Sequence, residues 1–352
     1  MKLTESLNWF IRGTTSKAQK ARRITKILVL VILFISLFWI VPVDEVIRAL
    51  LTADPWYFVV GMVTGFITVY LTSVQMAVLT QKQRINVDVN GVFAINLAAK
   101  FYSQFAPGNI VASGVKWYRL STPDGKPAEA LVALAFFRLL ETFLNVVAGL
   151  CFWIVSGQES IRIALIWPIA LIIGTTLLWI GVTRYSLTVY EWIKEIGKET
   201  FRKPPWQAIM KRFDKFIMAV SAYSDLSPWE LLWSIFAGLA SLLVGVFSNL
   251  LLARSVGIGL SFIDMGWIYA VVILLAQMPF VPAGGLGVRE VSLVFMLSTF
   301  GIGPELALAF SFMILIRGLL ISIVGGFLEA IQALHAKRPA ELNAANEKAE
   351  EP

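Results

Sequence analysis

The sequence predicts an all-α polytopic membrane protein with six full transmembrane helices and two re-entrant broken-helix hairpins, arranged as an inverted repeat. Of its 352 residues, 57% are hydrophobic and 15% are charged, whereas soluble chains are about 45–50% apolar and about 25% charged. Several apolar runs are long enough to cross a bilayer, which takes roughly 20 residues. Two further apolar runs are interrupted by Pro and Gly, and these two resemble each other.

Six uninterrupted apolar runs predict the full spans. They are Thr25–Val43, Pro55–Thr80, Ala128–Ser156, Ile161–Thr183, Trp229–Ala253 and Pro304–Ala333. Seven basic residues lie within the first 26 positions, and no small-x-small cleavage site follows the first run. We therefore expect a retained span rather than a signal peptide, with the basic head in the cytoplasm.

Two apolar stretches are broken near their middle. Gly91–Leu120 contains Pro107-Gly108, and Phe262–Phe300 contains Pro282 followed by Gly284-Gly285-Leu286-Gly287. Broken helices survive at membrane depth only where protein or a water-filled cavity satisfies the freed backbone groups. We therefore expect two re-entrant hairpins. The alternative, ordinary helices split by a kink, leaves the flanking loops on the same sides.

The two broken stretches predict an internal repeat. Gly114-Val115-Lys116 in the first answers Gly287-Val288-Arg289 in the second, and the span after each carries a basic residue, Arg138 or Arg317. Each unit has two spans, a hairpin and a third span, so the odd number of spans turns the second unit upside down. Inverted units with broken helices are a recurring plan of secondary transporters.

The predicted domains follow from this repeat. Residues 1–24 form a basic head, residues 25–333 form the membrane domain, and residues 334–352 form a tail. Repeat one covers about 25–156 and repeat two about 161–333.

Lys and Arg are shared unevenly between the predicted sides of the membrane. Of 30 such residues, 22 fall in cytoplasmic segments, three fall outside and five fall within the apolar zone. This asymmetry predicts a multi-pass protein of the cell (cytoplasmic) membrane with both termini in the cytoplasm. It also accounts for the net charge of +7 without a nucleic-acid partner.

The largest predicted soluble part is the basic cytoplasmic loop 184–228. Within it, apolar positions recur at helical spacing over residues 206–220, which predicts an amphipathic helix lying on anionic lipids of the inner leaflet. A solvated helix that caps the bundle is an equal alternative.

Charged residues within the membrane are costly and mark functional sites by default. Arg138 and Glu141 stand three apart on one helix face and can pair, whereas the adjacent Arg289 and Glu290 point about 100° apart and should reach different partners. Lys100 and Glu329 lie closer to span ends and are candidates for snorkelling.

The breaks each precede a short helix, and a helix N-terminus suits an anion such as phosphate. Together with the arginines they predict a basic pocket for a lipid phosphate; the alternative is that the arginines pair with carboxylates only to fix the bundle. The candidate substrate-binding residues are Pro107, Gly108, Lys116, Arg119, Arg138, Glu141, Pro282, Gly284, Gly285, Gly287, Arg289, Glu290 and Arg317.

The sequence offers little for other chemistry. It has no GxxxxGK[ST] loop for ATP, and its one histidine, His335, lies past the last predicted span, which argues against His-based catalysis or metal binding. The one cysteine, Cys151, has no partner in its own chain. We therefore expect no enzyme activity and no cofactor, and an oligomer is compatible with the sequence.

Three motifs together resemble a known family. They are Phe105-Ala106-Pro107-Gly108 with Gly114 and Arg119, Phe137-Arg138-Leu139-Leu140-Glu141, and Pro279-x-x-Pro282-x-Gly284-Gly285-x-Gly287-x-Arg289-Glu290 with Arg317 in the closing span. Over roughly Pro55 to Ala333 the chain resembles the lysylphosphatidylglycerol synthase transmembrane-domain family of flippase-like proteins. The resemblance implies movement of lipids or lipid-linked intermediates between leaflets. Since the chain ends shortly after its last predicted span, we expect a standalone form without the synthetase domain.

The leading hypothesis is therefore a lipid translocase that moves an anionic phospholipid or a polyprenyl-phosphate-linked lipid, with Glu141 and Glu290 as candidates for proton coupling. An alternative from another class is a membrane accessory that binds lipid and recruits a lipid-glycan or aminoacyl-lipid synthesis enzyme through loop 184–228. An intramembrane enzyme is disfavoured by the missing histidines and nucleophile motif.

Overall fold

The structure, a computed structural model, describes residues 51, 53–104, 109–157, 173–174, 214, 217–223, 226–276 and 288–335. These residues form helices and turns, with no strand among them. The helices longer than ten residues are α1 (Pro55–Lys82), α2 (Val89–Ser103), α3 (Asn109–Ser121), α4 (Pro127–Ser156), α5 (Pro228–Ser255), α6 (Phe262–Ala276), α7 (Val288–Ser298) and α8 (Pro304–His335). We call α1 to α4 unit one and α5 to α8 unit two.

The first helix of each unit begins with a defined cap. Asp54 accepts hydrogen bonds from the backbone N–H of Trp56 and Tyr57 at the start of α1. Ser227 and Glu230 form a reciprocal capping box at the start of α5. In both helices a proline occupies the first position, where its missing N–H costs nothing.

Four described helices are long and apolar enough to cross a membrane, namely α1, α4, α5 and the part of α8 that ends at Gln332. They coincide, within a few residues at each end, with four of the six apolar runs predicted as spans. The other two predicted spans, Thr25–Val43 and Ile161–Thr183, lie outside the described residues, apart from positions 173–174.

The two interrupted stretches are each divided into two short helices, as expected. In unit one, the backbone N–H of Asn86, before α2, donates to a carboxylate oxygen of Asp124, after α3, over 2.8 Å. In unit two, the ring of Trp267 in the early part of α6 lies 6.0 Å from the ring of Phe300, just after α7. Each pair of short helices therefore begins and ends on one side of the bundle.

The longest packing interface joins the first helices of the two units. The backbone N–H of Asp54, before α1, donates to the carbonyl of Ser255 at the end of α5 over 2.8 Å. At the other end, Lys82 of α1 forms an ion pair of 3.3 Å with Glu230 in the first turn of α5. Helices α1 and α5 are therefore antiparallel along their whole length.

The last helix of each unit packs against the first short helix of the other unit. In both crossings a glycine allows close approach. A Cβ built on Gly149 of α4 would lie 2.7 Å from the Cβ of Ala270 in α6, and one built on Gly325 of α8 would overlap the backbone of Leu97 in α2. The two units thus pack against each other through corresponding helices, α4 on α6 and α8 on α2, and we call this pair of crossings the clasp.

Part of the segment predicted as a cytoplasmic loop packs on the bundle. Residues 217–221 are helical, and Ala219, Val220 and Tyr223 are buried against a cluster from α1 and α4. The Tyr223 hydroxyl donates to the carbonyl of Leu79 over 2.8 Å. This end of the predicted amphipathic segment caps the bundle, while most of residues 206–216 lies outside the described residues.

Candidate functional site

A polar cavity of about 320 Å³ lies between helices of both units. It is lined from α1 to α6, at mid-length in most of these helices. Its charged lining residues are Lys100, Lys116, Arg138 and Glu141. Its uncharged polar lining residues are Thr68, Thr72, Gln75, Asn96, Ser103, Asn145, Ser241 and Tyr269.

Three helices of unit one present these polar groups as stripes at helical spacing. The stripes consist of Thr68, Thr72 and Gln75 on α1, of Asn96, Lys100 and Ser103 on α2, and of Arg138, Glu141 and Asn145 on α4. Residues three or four apart lie on one face of a helix. The cavity therefore exists because three otherwise apolar helices turn their polar faces toward one point.

Arg138 and Glu141 form the ion pair that their spacing predicts. The Arg138 Nη1 lies 2.9 Å from the Glu141 Oε2, and the two side chains are 36% and 24% exposed. The pair is therefore accessible from the cavity. Asn145 donates from its side chain to the backbone carbonyl of Glu141 over 2.7 Å, which ties the next turn of the stripe to the pair.

Two lysines enter the same cavity from α2 and α3. The Lys116 Nζ lies 5.6 Å from the centroid of the Phe137 ring, a contact in which the ring face attracts the cation. Lys100, near the end of α2, is exposed and lines the cavity. Neither lysine needs to reach the membrane surface to find a polar environment.

Basic side chains outnumber carboxylates in the cavity. Its described lining contains three basic side chains and one carboxylate, so the Arg138–Glu141 pair leaves two lysines without an acidic partner in that lining. Charges away from bulk water interact more strongly because the effective dielectric constant is lower. An anion that entered this cavity would meet a lining in which basic side chains outnumber carboxylates.

Arg289 and Glu290 reach the same partner, and the expectation of different partners was wrong. The Glu290 Oε1 accepts from the Arg289 Nη2 over 2.6 Å and from the Ser311 hydroxyl over 2.8 Å. The Arg289 Nε also donates to the Ser311 hydroxyl over 3.0 Å. The long guanidinium side chain bends back across the first turn of α7, so the angle between adjacent Cβ atoms does not separate the pair.

Arg317 is held between α1, α5 and α8. Its Nη1 donates to the Ser248 hydroxyl over 2.7 Å, and its Nη2 donates to the Asn249 side-chain oxygen over 3.3 Å. Its aliphatic stem lies against Gly65, where a Cβ would come within 2.6 Å of the Arg317 Cδ. The cavity lining does not include Arg317 or Arg289 among the described residues.

Arg119, at the end of α3, is also bound within the bundle. Its Nη2 forms an ion pair with Glu329 of α8, and its Nη1 donates to the Gln332 side chain over 3.1 Å. The Glu329 side chain is 1% exposed, so it is buried in this pair and does not snorkel. Arg119 thus links α3 of unit one to α8 of unit two.

The remaining candidate residues, Pro107, Gly108, Pro282, Gly284, Gly285 and Gly287, lie outside the described residues. Of the other candidates, the structure brings Lys116, Arg138 and Glu141 together. It adds Lys100, for which the sequence left a functional role and snorkelling as equal alternatives. The stripe of Asn96, Lys100 and Ser103 along α2 was the sequence signal for it.

Comparison with known protein families is decisive for the class of protein. The family model described as Lysylphosphatidylglycerol synthase TM region matches residues 23–326. The chain belongs to this family. Its match and its apolar helices identify a multi-pass membrane protein, and the family domain connects its function with membrane lipids.

No curated protein and no solved structure matches the chain. Among the described residues, no group of three or more His, Cys, Asp or Glu side chains could hold a metal ion.

Proposed function

We propose that the chain is a lipid translocase and that the polar cavity binds the anionic headgroup of the lipid it moves. The observation that carries this proposal is the lining of the cavity, which contains three basic side chains, Lys100, Lys116 and Arg138, and one carboxylate, Glu141. Intramembrane charges that line a cavity are typical of substrate pathways. A family domain connected with membrane lipids makes a lipid headgroup the natural anion.

The substrate class is a lipid that carries a phosphate, either an anionic phospholipid or a polyprenyl-phosphate-linked lipid. Phosphate oxygens accept hydrogen bonds from Lys and Arg, and these charge-assisted bonds are about twice as strong as neutral ones. The polar stripes of α1 and α2 would hydrogen-bond the rest of the headgroup. Binding and release without bond breaking is the whole reaction, so the proposed protein is not an enzyme and uses no cofactor.

The proposed mechanism uses the two units as an inverted repeat with re-entrant hairpins. The antiparallel course of α1 and α5 supports the inversion. The paired crossings at Gly149 and Gly325 support an equivalent clasp in each unit. Rocking of one unit against the other around a central site would expose the headgroup to each leaflet in turn.

Glu141 is the proposed coupling residue. A phosphate that approaches Arg138 competes with Glu141 for the guanidinium, since the two oxygens of a carboxylate and those of a phosphate accept the same donors. Protonation of Glu141 would release Arg138 to the substrate.

The proposed location is the cell membrane with cytoplasmic termini, and residues 206–220 would contact anionic lipids of the inner leaflet.

Reconstitution tests the proposal. Purified protein is placed in phosphatidylcholine vesicles that contain a fluorescent phosphatidylglycerol or a fluorescent polyprenyl phosphate, and the fraction accessible to an impermeant quencher is followed in time. We expect wild type to move one of these lipids and Arg138→Gln to move it at least tenfold more slowly. A tenfold slower rate corresponds to an activation free energy of transport that is about 1.4 kcal/mol higher.

Lys82→Met is the matched control, because it removes a cation from an ion pair on the bundle surface and should leave transport unchanged. Equal transport by wild type and Arg138→Gln would overturn the proposed site. Lipid binding without transport by wild type would instead favour the accessory hypothesis, in which loop 184–228 recruits a synthesis enzyme.

A further inference from the structure

An apolar groove of about 460 Å³ lies beside the polar cavity, between α4, α5 and α6. Its described lining contains no charged side chain. On α4 it includes Ala148, Cys151 and Val155, and on α5 it includes Leu239 and Leu243. Leu239 and Leu243 are 37% and 45% exposed, so the groove opens at the surface of the helix bundle.

The groove and the polar cavity share a wall. Leu144 of α4 and Leu242 of α5 line both, and both side chains are buried, at 6% and 5% exposure. A Cβ built on Gly238 would lie 2.5 Å from the Leu144 Cδ1, so Leu144 packs directly on the α5 backbone. Among the described residues, Leu144 and Leu242 therefore border both the basic cavity and the apolar groove.

One face of α4 passes continuously from the cavity into the groove. It carries Arg138 and Glu141 and then continues through Leu144, Ala148 and Cys151 to the end of the helix. From Leu144 to Val155 the groove runs about 16 Å at 1.5 Å per residue. The hydrocarbon depth of one leaflet is about 15 Å, half of a core of about 30 Å.

We propose that this groove binds the hydrocarbon chain of the same phosphate-bearing lipid whose headgroup occupies the polar cavity. The inference rests on the proposed function and deepens it, because it places both ends of the substrate. A lipid has a charged end joined to an apolar chain, and α4 presents a charged segment joined to an apolar groove of matching length. Leu144 and Leu242 then contact the substrate where its headgroup meets its chain.

The single cysteine of the chain makes the groove directly measurable. Cys151 lines the groove and is exposed, so alkylation by a maleimide reports access to this one position. The test follows the rate of Cys151 alkylation by mass spectrometry on the full chain in detergent micelles. Three lipids are added in turn: phosphatidylglycerol, a polyprenyl phosphate, and phosphatidylcholine with the same acyl chains as the phosphatidylglycerol.

We expect at least one of the two anionic lipids, phosphatidylglycerol or the polyprenyl phosphate, to slow alkylation about tenfold at ten times its Kd. At that concentration the fraction of protein without bound lipid falls about tenfold. Phosphatidylcholine should give little protection. Whichever of the two anionic lipids protects identifies the source of the chain. The Arg138→Gln variant should lose the protection, because the headgroup no longer holds the chain in place.

Several results would overturn the inference. Equal protection by phosphatidylcholine, or protection that persists in Arg138→Gln, would show that the groove takes any hydrocarbon. Slow alkylation in the absence of added lipid would show that another segment of the chain fills it. If wild type transports an anionic lipid but neither anionic lipid protects Cys151, the inference is contradicted and the proposed function is not.

A second variant reads out the groove through transport. Leu243→Trp fills the groove and should slow transport at least tenfold while the cavity still binds inorganic phosphate as wild type does. Leu320→Trp is the matched control, since Leu320 is 40% exposed on α8 and lies outside the lining of the groove. Equal transport by Leu243→Trp and wild type would contradict the inference, whereas absence of transport in wild type itself would count against the proposed function.

Discussion

The two units carry similar basic residues in corresponding helices but use them differently. In unit one, Lys100, Lys116 and Arg138 face an open cavity with one carboxylate between them. In unit two, Arg289 is bound to Glu290 and Ser311, and Arg317 is bound to two polar side chains of α5. Similar motifs thus produce a charged cavity in one unit and closed hydrogen-bond networks in the other.

The difference teaches that partners, rather than the charge itself, decide the role of an intramembrane cation. A cation whose donors are used by neighbouring side chains stabilises the bundle, and its removal leaves those neighbours unsatisfied. A cation that faces a cavity keeps donors for a ligand. Variants in unit two should therefore change stability, and variants in the cavity of unit one should change lipid binding.

The largest effect should come from Gly325, where the two units cross. In Gly325→Ala the new Cβ overlaps the backbone of Leu97, and we expect a loss of about 3 kcal/mol or more, the upper range for overpacking. On the same helix a Cβ at Gly318 meets nothing within 4 Å, so Gly318→Ala should be neutral or stabilising. Thermal unfolding in detergent measures both, and equal midpoints would contradict the clasp of the units.

Arg317→Met should give the next largest effect and would sharpen the contrast between units. It leaves Ser248 and Asn249 without their donor, and we expect a loss of about 1–3 kcal/mol of stability. Lipid affinity of the folded protein should stay within twofold of wild type. A variant that unfolds at the wild-type temperature and loses lipid binding would instead place Arg317 in the headgroup site.

Lys82→Met should have the smallest effect. Its ion pair with Glu230 joins side chains that are 22% and 43% exposed, and such pairs contribute about 0–1 kcal/mol. The unfolding midpoint should therefore change by no more than a few degrees. A large loss would show that the antiparallel contact of α1 and α5 depends on this pair more than on its apolar interface.

Much of the fold could be predicted from the sequence because span length and helix breakers are local properties. The helix Pro228–Ser255 exceeds the predicted run Trp229–Ala253 by one residue at its start and two at its end. The pair Arg138–Glu141 was predictable for the same reason, since both residues lie on one helix.

The rest depended on contacts between distant segments. The Arg289–Glu290 pair closes through Ser311 of α8, which no spacing within α7 reveals. Lys100 resembles a snorkelling residue until α2 is placed opposite α4 and α5, where its side chain faces the cavity. The pairing of α8 with α2 rests on the fit of Gly325 to Leu97, and helix packing of this kind is not encoded in either helix alone.

The most direct test of the central claim is the thermal stabilisation of the protein by its lipid, compared between wild type and Lys116→Met. Lys116 lines the cavity against Phe137, and methionine keeps most of its length while it removes the charge. We expect the anionic lipid at about ten times its Kd to stabilise wild type by about 1.4 kcal/mol, and Lys116→Met to lose most of this shift while Lys82→Met keeps it. An equal shift in all three proteins would show that the lipid binds elsewhere and would contradict the account.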